Sequence, residues 1–388
     1  MGGGLGQARP LDELAQPQAG GSGLVQQAHH EGGAGQDAGG WGQRGHRSIV
    51  PQLRRRSQFH LMDSMIAAPA CIMRNEHAML GHVGCVASRV SGPIVHILVS
   101  RRSPMPLTAS TVTRTVSVDG ASVTCHDSVT PGELDRPLVL VHGTGGTTAS
   151  HFGHLFPMMA TRTRVIAVDW APTADPAADL TVDLLVGQVR AAVDELLGSD
   201  AAFDLLGYSL GAVVAGQLAA DLGRRVENLV LVAGWATTDV HQRLRNEVWR
   251  HLYATSPDAL ARYTAFCGLS PLALRSLTPA MLDGALASLT ADEFTARQMD
   301  LNARVDVADR LSAVTARTLI VSCAEDIMVP PHHQYELLGI IDDARLTTMT
   351  SGHAFFLERP AELMQIVDLH LREPDRHPAG AIIPETHA

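Results

Sequence analysis

From Arg136 onward the chain alternates between short, unbroken apolar runs and longer amphipathic stretches. Leu138 to Val141, Arg164 to Asp169, Phe203 to Leu206, Val226 to Val232 and Thr318 to Ser322 are dominated by valine, isoleucine and leucine. Runs this short and this apolar predict strands buried on both faces, since a half-exposed strand would alternate with period two. Helical stretches such as Val182 to Leu197 lie between most of them. That rhythm predicts an α/β fold, a mostly parallel central sheet with helices on both faces. Ahead of it, Val116-Ser117-Val118 and Ser122-Val123-Thr124-Cys125 flank Asp119-Gly120, a hairpin signal.

The rhythm stops between Trp235 and about Val305. Helix-start signals crowd that stretch: Ser256-Pro257, Ser270-Pro271, Thr278-Pro279, and Thr290 with Glu293 in capping-box spacing. Four or five short helices are expected, forming a cap inserted after the strand that ends near Gly234. The organisation is then 105–234 as the first part of the core, 235–305 as the cap and 306–372 as the second part. Residues 373–388 are expected to form a flexible tail. Trp249, Tyr253, Phe266, Leu282 and Met299 are candidates to line an apolar pocket under the cap, although each singly also suits cap core.

Chemistry enters at Gly207-Tyr208-Ser209-Leu210-Gly211, which joins a strand to the helical run from Ala212 to Leu218. A serine between two glycines at such a junction is the G-x-S-x-G nucleophile elbow. Its tight turn lifts the hydroxyl clear of the sheet and aims the first, unpaired N–H groups of the helix at the same space. Upstream, one buried strand runs into His142-Gly143-Thr144-Gly145-Gly146; downstream, others precede Glu325-Asp326 and Ser351-Gly352-His353. Ser209, Asp326 and His353 therefore follow one another, each just past a strand's carboxyl end. Taken singly, they also fit a helix cap, a turn residue and a solvated loop histidine.

In these landmarks the chain resembles the α/β-hydrolase superfamily over roughly residues 110 to 372, and within it small capped esterases and lactonases such as enol-lactone hydrolases. The resemblance implies Ser209 as nucleophile, His353 as base and Asp326 as the acid orienting it, with the backbone N–H groups of Thr144 and Leu210 as oxyanion hole. Glu325 and Asp239 are alternative acids. His142, Gly143, Tyr208, Trp235 and Met328 fall where that family builds its pocket. His151 and His154 either reach it or decorate the next helix, and His332-His333 either cap or face solvent. No metal site is expected, because His151 and His154 have no carboxylate at matching spacing. After Asp169, relatives commonly carry Arg-Gly-x-Gly; here Trp170-Ala171-Pro172-Thr173-Ala174-Asp175 stands instead, so substrate assignments do not transfer.

Composition bounds the remainder. With 388 residues, 45% hydrophobic, the chain can bury one large core with a lid. From Met105 onward 20 arginines face 34 acidic residues with no basic stripe, which argues against nucleic acid. The chain has no lysine, which excludes a lysine Schiff base. Five scattered cysteines without metal spacing suit reduced thiols. Ala78 to Ser100 is broken by His82, Arg89, Pro93 and His96 and makes a poor membrane span, and no secretory signal is visible, so a cytoplasmic enzyme is expected. Fourteen of the first 45 residues are glycine. Residues 1–104 are expected to be a disordered low-complexity extension, of a composition that translated upstream DNA would also give, with Met105 as the natural start.

The expected activity is hydrolysis of a small or medium carboxylic ester or lactone through an acyl-enzyme, with a small apolar molecule as substrate and no cofactor. Rival functions on the same scaffold are a cyclase or lyase of secondary metabolism, a type II thioesterase and a hydrolase-fold ligand-binding protein.

Overall fold

In the computed structural model, residues 107–385 are described, apart from Ala174, Pro176 and Ala177. The extension expected over 1–104 lies outside the described residues. Asp119 and Gly120 both take positive φ, 48° and 80°. That is the primed turn an Asp-Gly pair favours, and it joins β1 (Val112–Val118) to β2 (Ala121–Asp127) as an antiparallel hairpin.

Seven further strands follow: β3 (Leu138–Val141), β4 (Val165–Asp169), β5 (Phe203–Tyr208), β6 (Val226–Val232), β7 (Arg317–Cys323), β8 (Ala344–Met349) and β9 (Ile382–Ile383). Their order is β1-β2-β4-β3-β5-β6-β7-β8-β9; β2 meets β4 antiparallel, and every pairing beyond is parallel. The apolar runs feed two cores. Val139, Val141, Ile166, Val168, Leu229 and Leu231 face one; Leu138, Leu140, Val165, Ala167, Val230 and Val232 face the other. Helices cover both faces. On the first lie α3 (Val182–Leu197) and α4 (Leu210–Leu222); on the second lie α1 (Thr148–Phe152) and α2 (Leu155–Met159). Phe152 and Phe156 are fully buried there, each contributing about 1.5–3 kcal/mol over the exposed state.

Between β6 and β7 come α5 (Val240–Thr255), α6 (Pro257–Gly268), α7 (Pro271–Ser276), α8 (Pro279–Ser288) and α9 (Glu293–Asn302). Ser256, Ser270 and Thr278 each cap a helix that opens on proline. The expected box at Thr290 is not used. Helix α9 starts one residue after Asp292, whose carboxylate takes the Thr295 N–H at 2.7 Å. The two ends of this insertion are stitched together by Thr238 N–H to Val305 O and Val307 N–H to Ala236 O, both 2.9 Å. After it come α10 (Ala308–Leu311), α11 (His332–Ile340), α12 (Phe355–Glu358) and α13 (Pro360–Arg372).

The flexible tail expected over 373–388 is corrected for residues 380–383, which pair with the sheet. Gly380 N–H donates to Ala344 O and Leu346 N–H to Ala381 O, which lays Ile382–Ile383 along β8 as β9. An open strand edge is a row of unpaired donors and acceptors, and this segment covers part of it. No helix among the described residues is long and apolar enough to cross a membrane.

Candidate active site

Strand β5 turns into α4 through Ser209, at φ 55° and ψ −121°. The turn requires its glycines. A Cβ on Gly207 would lie 2.2 Å from Gly211 O, and one on Gly211 would lie 2.2 Å from Val141 O. Ser209 N–H donates to Val232 O at 2.9 Å, tying the turn to β6.

Past β7, Asp326 Oδ1 accepts from the N–H groups of Met328 (2.7 Å) and Val329 (2.9 Å), which fixes the carboxylate. Its Oδ2 lies 2.6 Å from His353 Nδ1, and His353 Nε2 lies 2.9 Å from Ser209 Oγ. An ionised carboxylate only accepts, so Nδ1 carries the proton and Nε2 offers its lone pair to the serine hydroxyl. All three residues are buried. The Tyr208 hydroxyl donates to His353 O at 3.1 Å, holding the histidine loop; burial keeps that phenol neutral by pushing its pKa well up. Of the alternative acids, Asp239 caps α5 instead. Neither it nor Glu325 hydrogen-bonds His353.

The glycine-rich turn lies against the serine, since a Cβ on Gly143 would stand 3.0 Å from Ser209 Cβ. Among the described residues, the N–H groups of Thr144 and Leu210 have no acceptor. His142, expected at the pocket, is instead sealed beneath the turn. Its Nδ1 donates to Gly143 O at 2.8 Å and its ring packs 4.3 Å from Trp170. His151 is half-buried rather than decorating a helix surface. Its Nδ1 accepts the Gly143 N–H at 3.1 Å, and its ring sits between Tyr208 and Phe356. Burial pushes its pKa well down, so the ring stays neutral and can accept.

Two residues of the insertion hold the same turn and had not been anticipated. Gln298 Oε1 accepts the Gly145 N–H at 3.0 Å, and Asn302 Nδ2 donates to Thr144 Oγ1 at 2.9 Å. Their i, i+4 spacing puts both on one face of α9, the only local hint available. A third tie is Glu358, which accepts from Ser270 N–H (2.9 Å) and Ser270 Oγ (2.6 Å) and so fastens α7 beside the histidine loop.

The expected pocket aromatics do not gather here. Phe266 is 61% exposed. Trp249 and Tyr253 stack at 5.2 Å and pack with Leu260, Ala296 and Met299 inside the insertion. Trp235 is buried in the main core, its indole N–H on Thr238 Oγ1. Flat apolar rings found a dry core before any lining role. Met328 is half-buried against that core and near Gly268.

A serine at a tight strand-to-helix turn at the end of a mostly parallel sheet defines a class. The pattern of the Alpha/beta hydrolase family matches residues 138–366, and the chain belongs to that family. It is 31% identical over 268 residues to the pyrrolizixenacetamide deacetylase of Xenorhabdus hominickii, covering 67% of this chain and 98% of that protein. RutD of Azorhizobium caulinodans, named for carbamate hydrolysis, is 29% identical over 58% of this chain and 86% of its own. The enol-lactonase from Burkholderia xenovorans LB400 shares the fold, with TM-score 0.57 at 19% identity over 67% of this chain and 100% of that one. The protein is an enzyme of the α/β-hydrolase fold.

Proposed function

We propose that the protein is a serine hydrolase that cleaves a small or medium carboxylic ester or lactone through an acyl-enzyme. The observation that carries this reading is the unbroken line from Asp326 Oδ2 through His353 to Ser209 Oγ, at 2.6 and 2.9 Å. Ser209 Oγ attacks the carbonyl carbon as His353 Nε2 takes its proton. Asp326 remains ionised and stabilises the imidazolium. The oxyanion is met by the N–H groups of Thr144 and Leu210, each such donor contributing about 3 kcal/mol to the transition state. His353 then returns the proton to the leaving group, and water repeats the sequence on the acyl-serine. In this reading the helices between β6 and β7 cap the site, and their contacts with the glycine-rich turn support that role.

A second reading, cleavage of an acetamide, is favoured by the 31% identity to a protein named as an acetamide deacetylase. It needs the same groups, with His353 protonating an amine. A fluorophosphonate should add once to the full-length protein, at the peptide holding Ser209, and Ser209→Ala should abolish labelling and lower kcat by roughly 10⁴-fold or more. Labelling elsewhere, or turnover surviving in the variant, would overturn the assignment. Parallel rates on p-nitrophenyl acetate and p-nitroacetanilide separate the two readings.

A further inference from the structure

Away from Ser209, three side chains converge where the insertion leaves the sheet. Asp239 caps α5 with one oxygen, Oδ1, which takes the Gln242 N–H at 2.8 Å. The other, Oδ2, faces two imidazoles from the start of α11: His332 Nε2 at 3.0 Å and His333 Nε2 at 3.5 Å. One ligand atom from each of the three residues lies within 4.8 Å of the others. His333 is 1% exposed, yet neither of its ring nitrogens has a hydrogen-bond partner. Buried polar groups in folded proteins are nearly always satisfied, so a buried imidazole whose facing carboxylate oxygens stand off at 3.5 and 3.7 Å needs an explanation.

We propose that Asp239, His332 and His333 bind a divalent transition-metal ion of the zinc type. Two imidazoles and a carboxylate are the donors such ions take, whereas calcium and magnesium prefer oxygen alone. At metal–ligand distances of about 2.0–2.1 Å, tetrahedral ligand atoms stand roughly 3.3 Å apart, and the two observed separations bracket that spacing. On the far side of the ring, His333 Nδ1 lies 3.7 Å from Glu336 Oε2. A carboxylate there suits the ring N–H that a ligating histidine turns away from its metal. His332 is 58% exposed, so the cluster can be reached from solvent. An ion here would fasten the first helix of the insertion to the core helix that follows Asp326. Asp239 and His332 stand 93 positions apart, so no spacing rule reads them as a pair.

The site is independent of the serine chemistry and is tested without it. The full-length protein is titrated with Co²⁺ and with Zn²⁺, alongside Asp239→Asn/His332→Gln. Asparagine still caps a helix and His332 is mostly exposed, so the double variant should fold, which circular dichroism checks; His332→Gln alone serves if it does not. The chain has 19 histidines, so the comparison of variants, not bulk uptake, isolates the site. Expected are tetrahedral Co²⁺ absorption bands in the wild type, their displacement by one Zn²⁺ per chain, and loss of the bands in the variant with about 100-fold weaker Zn²⁺ binding. Absence of saturable binding in the wild type, or equal affinity in the variant, would overturn the proposal.

Discussion

Ser209 occupies a backbone region that side chains avoid, φ 55° with ψ −121°. Such a conformation stores about 1–3 kcal/mol, which the surrounding sheet must hold in place. Glycine is free of that penalty. Ser209→Gly is therefore expected to be more stable than Ser209→Ala by about 1 kcal/mol in urea unfolding, with both variants inactive. An alanine variant of equal or greater stability would show that the elbow is relaxed. This residue was legible because its demands are local: flanking glycines follow from contacts within five residues and with the adjoining strand. Phe266 was not, because which side of a helix meets water depends on partners far along the chain.

Helix α9 shows how an element outside the core reaches the glycine-rich turn. Its Gln298 and Asn302 hold the turn that presents the Thr144 N–H. Gln298→Leu leaves the Gly145 N–H unpaired and frees the turn. With the oxyanion reading, kcat on p-nitrophenyl acetate should fall about 10-fold with KM little changed, within the roughly 3 kcal/mol that one donor supplies. Stability should drop by about 1 kcal/mol. Unchanged kcat would mean that the turn keeps its shape unaided. Serine-proline and threonine-proline pairs announced the insertion helices, since proline fixes φ and needs no donor at a first turn. What those helices touch had no such signal.

Across the whole molecule, histidines with lowered pKa are expected to make stability fall in acid. His370 is buried and its pKa is lowered to about 4, chiefly by desolvation, while its Nε2 donates to Arg317 O. His142 and His151 are lowered from the same first cause. Below about pH 6.5 the unfolded chain binds protons that the folded one refuses, so this stability is complete above 6.5 and drains as pH falls towards 4. For His370 the loss by pH 4.5 is about 2 kcal/mol. Urea unfolding at pH 7 and 4.5 should show the fall, and His370→Gln, which retains a donor for Arg317 O, should reduce it by that amount. An equal fall in the variant would place the sensitivity elsewhere.

The sequence by itself determined the strand runs, the elbow, the chain order of serine, aspartate and histidine, and the starts of most insertion helices. Each depends on sterics or apolar periodicity within a few residues. Only the tertiary structure decided that His353 meets Ser209 across 144 positions, that α9 braces the glycine-rich turn, that residues 382–383 close a sheet edge, and that Asp239 faces two histidines. Those contacts are long-range. They follow from how completed elements pack, and no local pattern encodes which distant surface each will meet.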